Sequence, residues 1–227
     1  MSKNFTKDQL ESDALVTGYA KTIHYVKNNT NVIIGAVVGV IVLIGAIVGY
    51  SIYSDKQETT AQAFLGYAEQ SFVRADYETA LNGDNSTLGV GLKAIISNYS
   101  GTNAANMARY YAAISELEMG NRDAALAYMN KFKAPKGILG VNALNFHGVL
   151  LDNAGKYKEA ANTFKKAANW DRNDSTTPQN LLMAANSAVR AGDYRMASDL
   201  VNEIINSFEN SPSVTDARKL QGTLAVK

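Results

Sequence analysis

The hydrophobic pattern of the chain has two regimes. From Val32 to Tyr53 the sequence runs 22 residues without a charged side chain, and no Asp, Glu, Lys, Arg or His occurs between Lys27 and Asp55. Beyond this run, apolar residues recur at the three- and four-residue spacing of amphipathic helices, and no segment alternates as a strand would. The pattern predicts an all-α protein with one long apolar helix near its amino terminus.

The apolar run is long enough to be a membrane anchor. About 20 apolar residues cross the hydrocarbon layer of a bilayer, whereas a buried helix of a soluble protein is shorter and has a polar stripe. A cleaved signal peptide would have a shorter apolar stretch that ends in a small-residue cleavage site. This run is longer, and no convincing site of that kind ends it. We therefore expect a retained single span at 31–54.

Basic residues on the two flanks predict the orientation of this span. The tail 1–30 contains Lys3, Lys7, Lys21 and Lys27, while Lys56 is the one basic residue near the other flank. Because positive charge is retained on the inner side, the tail is expected in the cytoplasm and residues 55–227 outside, in the periplasm of a double-membrane bacterium. This predicts a bacterial inner-membrane protein with a periplasmic domain.

The tail and the span each carry a pattern that suggests a contact surface. The tail repeats apolar residues at helical spacing, which predicts an amphipathic helix; an accidental pattern in an unstructured tail is the alternative. The span has a strip of small residues on one face, which would let another membrane helix approach closely. Since glycine is common in membrane helices, composition alone could also explain the strip. Its residues are Gly35, Gly39, Ala46 and Gly49.

Three later segments repeat one helix–turn–helix pattern. The segments are Arg109–Phe132, Leu144–Ala167 and Leu181–Ile204, and they align on Gly120, Gly155 and Gly192. Small residues recur before each glycine (Ala113, Gly148, Ala185) and after it (Ala125, Ala160, Ala197). The pattern resembles the tetratricopeptide repeat, in which small residues let two antiparallel helices approach and glycine ends the first helix. The middle copy matches best, whereas the other two lack several consensus aromatic residues.

The remaining segments complete a predicted solenoid of about four helix pairs over residues 55–227. A long helix at 57–80 and a second at 88–99, separated by a polar loop, are expected to form a degenerate first pair. A helix at 211–224 is expected to cover the last apolar face, as solenoids require.

The sequence shows little sign of catalytic chemistry. His147 falls at a position expected to be buried, without a second potential ligand at helical spacing, so packing is the favoured interpretation. No phosphate-binding loop, nucleophile motif or zinc motif is present, and the chain has no cysteine. We expect no enzyme, no metal, no cofactor and no small-molecule substrate.

Charge argues against nucleic acid as a partner. From Asp55 onward there are 18 Lys or Arg and 18 Asp or Glu residues, and the whole chain has a formal net charge of +1. A nucleic-acid-binding domain normally has a basic field. Protein partners are therefore expected.

Stacked helix pairs of this family form a concave groove lined by the first helix of each pair. We expect the groove to hold an extended or helical segment of a partner; ordinary solvent-facing residues are the alternative. Alignment on the three glycines predicts a mixed apolar and amide-rich lining. It consists of Tyr110, Ile114, Glu118, Asn142, Asn145, Val149, Asn153, Leu182, Asn186 and Arg190.

A second resemblance concerns the whole architecture. The segment Asn98–Leu126, NYSGTNAANMARYYAAISELEMGNRDAAL, is similar to the Y-x-G-T…A…A…L-x-x-G-x-x-x-A-L stretch of the YfgM family. Members of that family have a short tail, one span and a periplasmic repeat domain, and are ancillary subunits of the SecYEG translocon beside the chaperone PpiD. The resemblance implies a role in handling exported proteins, with SecYEG and a PpiD-like chaperone as partners. A scaffold subunit of another envelope complex is the alternative.

Overall fold

The computed structural model describes residues 7–84 and 86–226, with side chains described from residue 17 onward. This part of the chain is helical and contains no β-strand, in agreement with the predicted all-α class. Its helices are α1 (Lys7–Asn28), α2 (Thr30–Val73), α3 (Tyr77–Asn82), α4 (Leu92–Asn98), α5 (Asn103–Glu118), α6 (Arg122–Met129), α7 (Ile138–Asn153), α8 (Tyr157–Trp170), α9 (Thr177–Arg190), α10 (Tyr194–Ser207) and α11 (Ser213–Leu224).

The chain divides into two compact units, Met1–Lys56 and Gln57–Lys227. The first contains α1 and the apolar part of α2, and its side chains from residue 17 onward are mostly exposed. Three apolar residues of the predicted amphipathic tail, Leu10, Ala14 and Leu15, lie outside the described side chains. The amphipathic character of the tail therefore stays a prediction.

Helix pairs follow one another through the second unit. Helix α5 packs on α6, α7 on α8 and α9 on α10, and each pair also contacts the next along the chain. Helix α11 packs against α9 and α10, as expected for a helix that covers the last repeat. The structure confirms the tetratricopeptide-repeat-like solenoid.

Small residues make the close helix contacts. Ala113, Ala125, Ala160 and Ala185 are fully buried. A Cβ atom at Gly148 would lie 2.6 Å from the ring of Phe164, so only glycine fits beneath this aromatic side chain. The packing explains why small residues recur before and after each turn.

Four turns of the second unit share one geometry. Gly120, Gly155 and Gly192 have φ values of 86°, 73° and 76°, and Ala75 has a φ value of 60°. In each turn the next residue donates its amide hydrogen to a carbonyl five residues earlier, for example Lys156 N to Leu151 O at 2.9 Å and Asp76 N to Ser71 O at 3.0 Å. This is the Schellman hydrogen bond that closes a helix carboxyl end. Ala75 therefore marks a fourth copy of the repeat turn.

The first helix pair differs from the prediction. The helix expected at 57–80 ends at Val73, because the left-handed residue Ala75 turns the chain and Asp76 accepts a hydrogen bond from Thr79 N at 3.2 Å to start α3. The helix expected at 88–99 begins only at Leu92. The intervening loop is closed by a single bridge between Gly83 and Val90.

Three glycines hold this loop compact. A Cβ atom at Gly91 would lie 2.3 Å from Gly83 N, and one at Gly83 would lie 2.0 Å from Gly89 O. Asp84 accepts hydrogen bonds from Tyr67 Oη and Ser86 N, both at 2.8 Å, and hydrogen bonds from Ser86 and Tyr67 lower the pKa of this carboxyl. The close backbone approach of Gly83, Gly89 and Gly91 delays the start of α4 to Leu92.

The segment 98–126, which resembles a stretch of the YfgM family, contains the capped amino terminus of α5. Thr102 Oγ1 donates to Tyr99 O at 2.7 Å and accepts from Ala105 N at 3.0 Å, which caps α5. The Glu58 carboxylate accepts from Asn103 N at 2.6 Å and from Ala104 N at 3.0 Å. The Tyr-Ser-Gly-Thr sequence is thus the capped entry to α5, joined to α2 by Glu58.

Candidate partner-binding groove

The first helices of three pairs, α5, α7 and α9, were expected to line the groove, and side chains join them in series. The rings of Tyr110 on α5 and Phe146 on α7 are 6.0 Å apart. The Asn145 side chain on α7 donates to Asn180 Oδ1 on α9 at 2.7 Å. Side-chain contacts therefore link α5 to α7 and α7 to α9, while a partner-binding groove along these helices stays a prediction.

Six of the ten predicted lining residues are surface-accessible without a side-chain bond or ring contact that ties them to a neighbour. Glu118, Asn142, Asn153 and Asn186 are exposed, and Ile114 and Val149 are half-buried. These six residues are called the open groove set below. The set comprises three amides, one carboxylate and two aliphatic side chains, and binding of a partner at these residues stays a prediction.

Leu182 is a correction. It is buried, and it belongs to the same apolar cluster as Val214 and Ala217 of α11. The equivalent positions of the earlier repeats remain accessible. Helix α11 packs on α9, and Leu182, as a buried member of the core, stabilises the fold instead of offering an open contact surface.

Arg190 is already engaged within the molecule. Its guanidinium pairs with Asp152 on α7, donates to Tyr157 Oη at 3.0 Å and lies 4.1 Å from the centre of the Tyr157 ring. Ser187 Oγ also donates to Asp152, at 2.8 Å. Because these contacts fix α7, α8 and α9 together, Arg190 has a structural role in addition to any role at the groove.

Asn145 is likewise held by its neighbours. Its amide nitrogen donates to Asn180 Oδ1 and lies 3.2 Å from Met183 Sδ. The Asn145 side chain is half-buried. Because these contacts occupy its amide nitrogen, Asn145 mainly holds α7 against α9.

An aromatic cluster forms the α5 end of the groove. The ring of Tyr110 lies 5.6 Å from that of Phe132 and 6.1 Å from that of Tyr111, which in turn lies 4.9 Å from Phe72. Burial raises the pKa of Tyr110. Burial, followed by a hydrogen bond with Glu69, raises the pKa of Tyr111 to about 12.

Sequence reasoning missed Asp152, Tyr157 and Phe146 as contributors to this surface. Asp152 accepts a hydrogen bond from Ser187 Oγ and pairs with Arg190, both on the first helix of the next repeat. The separations of 35 and 38 residues, close to one repeat length, are the signal that could have found these contacts.

The interpretation of His147 also changes. His147 is half-buried instead of buried, and its Nε2 lies 2.9 Å from Asn130 Oδ1. Burial, and secondarily the charge of Lys166, lowers the pKa of His147. The indole nitrogen of Trp170 donates to Pro135 O, in the connection between α6 and α7, at 2.7 Å, and the same ring stands over Gly140 of α7.

The apolar helix carries the predicted small-residue strip on an open surface. Nothing lies within 4 Å of a Cβ atom built at Gly35, Gly39 or Gly49, and Ala46 is exposed. In the described part of the chain, α2 is the helix long and apolar enough to cross a membrane, and its most apolar window is unburied. Whether the strip packs against another helix stays a prediction.

Catalytic geometry is not apparent in the described residues. No cluster of three or more His, Asp or Glu side chains there could hold a metal ion.

Stacked α-hairpins joined by repeated Schellman turns, with small residues at the helix contacts, define an α-helical repeat protein. The family model described as tetratricopeptide repeat-like domain matches residues 24–171, and the chain belongs to this family. The chain matches no curated protein. Because such repeat domains bind other proteins, the groove of α5, α7 and α9 is the candidate interaction site.

Proposed function

We propose that the protein is a membrane-anchored protein-binding module of the bacterial inner membrane, acting as an ancillary subunit of the Sec translocon and its periplasmic chaperone network. The supporting observation is the combination of one exposed apolar helix with a repeat domain whose groove surface is open. The resemblance of residues 98–126 to the YfgM family directs the proposal to SecYEG and a PpiD-like chaperone.

In this proposal each unit has a separate task. The tail 1–30 remains in the cytoplasm, the span 31–54 anchors the chain, and the domain 55–227 meets exported chains in the periplasm. The open groove set supplies the partner contacts, while Gly35, Gly39, Ala46 and Gly49 pack against a helix of the channel. The protein has no catalytic step of its own.

Copurification of the full chain tests the partner. After mild detergent extraction, we expect SecY and a PpiD-like chaperone to be recovered with the protein. Gly39→Leu should weaken recovery of SecY without preventing membrane insertion, because a larger side chain blocks close helix approach. Recovery of a different envelope complex in place of both would support the scaffold alternative.

Variants of the open groove set test whether these residues contact the partner. Asn142→Arg and Asn186→Arg place a bulky charge on exposed positions of the open groove set, so both should reduce recovery of the chaperone or of bound client chains. Asn162→Arg on α8 is the matched control, because Asn162 is exposed and lies outside the set. Equal recovery with all three variants would assign partner binding to another surface.

A further inference from the structure

A second recessed surface lies at the start of α5, apart from the open groove set. It is a cavity of about 410 Å³ between the entry to α5 and the segment that follows α6. Its lining combines the Ser-Gly-Thr entry of α5 with two lysines and an arginine. The lining includes Thr102, Asn106, Arg109, Lys131, Lys133 and Pro135.

The charged residues that line this cavity are all basic. Arg109, Lys131 and Lys133 bring three cations to its wall, whereas no Asp or Glu lines it. No ion pair within the described residues involves any of these three side chains. In a domain that is neutral overall, this concentrates positive potential at one recess, where an anion would be attracted.

Arg109 carries an unused donor. Its side chain is half-buried, and its Nε atom is buried without a hydrogen-bond partner among the described residues. Leaving a buried donor unpaired costs about 1–3 kcal/mol, so such groups usually have a partner that completes them. Since a solvent probe does not reach this Nε atom, an anion in the cavity would be held by the outer guanidinium nitrogens of Arg109, which make no ion pair among the described residues.

The walls of the cavity are fixed before any ligand binds. The Asn106 side chain donates to Lys133 O at 2.8 Å and accepts from Lys133 N at 2.9 Å, which locks the segment after α6 onto α5. Thr102 caps α5, and Pro135 O is held by the Trp170 indole. A preorganised site loses less entropy when it binds.

The helix amino terminus itself is already occupied. Glu58 accepts from Asn103 N and Ala104 N, so these amides are not free to bind a further anion. The same contact shows that a carboxylate fits against this rim of the cavity. Recognition of a ligand is therefore left to the three cationic side chains.

We propose that this cavity binds the carboxylates of an acidic peptide segment of a protein partner, with Arg109 as the bidentate contact and Lys131 and Lys133 as flanking charges. The planar guanidinium fork matches a carboxylate, and flexible lysines suit neighbouring acidic side chains. The surface is distinct from the open groove set, so the partner can be held at two places or two partners can be held together.

The test uses the full chain in a non-ionic detergent and a fluorescent peptide of consecutive Asp and Glu residues, with fluorescence polarisation as the readout. We expect saturable binding that weakens as salt is raised. Arg109→Gln and, separately, Lys133→Gln should each weaken binding at least about fivefold, the size expected for loss of one charge-assisted hydrogen bond. Lys158→Gln on α8, which removes an exposed lysine outside the cavity, should leave binding unchanged.

Competition identifies the ligand class. Unlabelled acidic peptide should displace the probe, whereas inorganic phosphate at equal charge concentration and phosphatidylglycerol vesicles should not. Equal binding by the wild type and Lys133→Gln, or displacement by phosphate or vesicles alone, would overturn the proposal. Because Lys133 is exposed, its substitution keeps the test valid even where Arg109→Gln impairs folding. Asn142→Arg should retain peptide binding, which separates failure here from failure of the groove.

Discussion

Ala75 occupies the position that glycine holds in the other three repeat turns. Its φ value of 60° places an L side chain in the left-handed region, which costs about 1–2 kcal/mol relative to the right-handed one. The turn still forms, because the Asp76 N to Ser71 O hydrogen bond and the packing of α2 with α3 outweigh this cost.

Relief of this strain gives the first prediction. Ala75→Gly should raise the free energy of unfolding by about 0.5–1 kcal/mol, since glycine removes the left-handed penalty but gains about 0.4–1 kcal/mol of unfolded-chain entropy. Gly155→Ala is the matched reverse change and should lower stability by about 1 kcal/mol. Denaturant unfolding measures both, and the same sign for the two variants would contradict the explanation.

His147 gives a prediction about pH. Burial disfavours the charged imidazolium, so the pKa of His147 lies below the ordinary value of 6.5. A histidine whose pKa is depressed in the folded state contributes stability above pH 6.5, and this contribution is lost as the pH falls through the folded-state pKa.

Titration of the ring protons by NMR checks this expectation. The chain has two histidines, so the signal that disappears in His24→Gln identifies the other as His147. The His147 signal should titrate below pH 6.5, and His147→Gln should flatten the dependence of stability on pH between about 7 and 5. An unchanged pH dependence would show that other groups control acid sensitivity.

At the scale of secondary-structure elements, α5 depends on a residue far away in the sequence. Glu58 on α2 accepts two amide hydrogens from the first turn of α5, where the helix dipole favours a negative charge. Thr102 satisfies a third amide hydrogen. One helix end is thus capped by its own amino-terminal residue and by another helix.

Removing the charge of Glu58 tests this connection. Glu58→Gln should lower the free energy of unfolding by about 0.3–1 kcal/mol, the usual range for a carboxylate at a helix amino terminus. Glu209→Gln, an exposed glutamate between α10 and α11, serves as control and should have no effect. An equal loss in both variants would mean that overall charge, not the cap, matters.

At the scale of the whole molecule, the property to be tested is the side of the membrane on which the repeat domain lies. Basic residues are concentrated before the apolar run, so we predict the orientation with the tail inside and the repeat domain outside. Protease added to intact spheroplasts should degrade the chain after about residue 55, because the inner membrane protects only the tail and the span.

An epitope placed at the amino terminus provides the control for this experiment. It should survive in intact spheroplasts and be lost only after the membrane is broken. Protection of the repeat domain in intact spheroplasts would reverse the proposed orientation and remove the periplasmic partners from consideration.

Local sequence was sufficient for much of this architecture. Glycines at 120, 155 and 192 can adopt positive φ cheaply, so they predicted three of the four repeat turns without knowledge of the tertiary fold. The apolar run of α2 and the small residues at helix contacts followed in the same way from period and size. These features depend on neighbours within a few residues.

Only the tertiary structure decided which residues of the candidate groove are free. Leu182 is buried within the apolar core of the repeats, and Arg190 is bound because Asp152 and Tyr157 approach from the preceding repeat. Ala75 turns the chain although alanine has no local preference for positive φ. The sequence by itself determined the repeat and the apolar helix, while contacts between residues a repeat length apart determined the surface left for a partner.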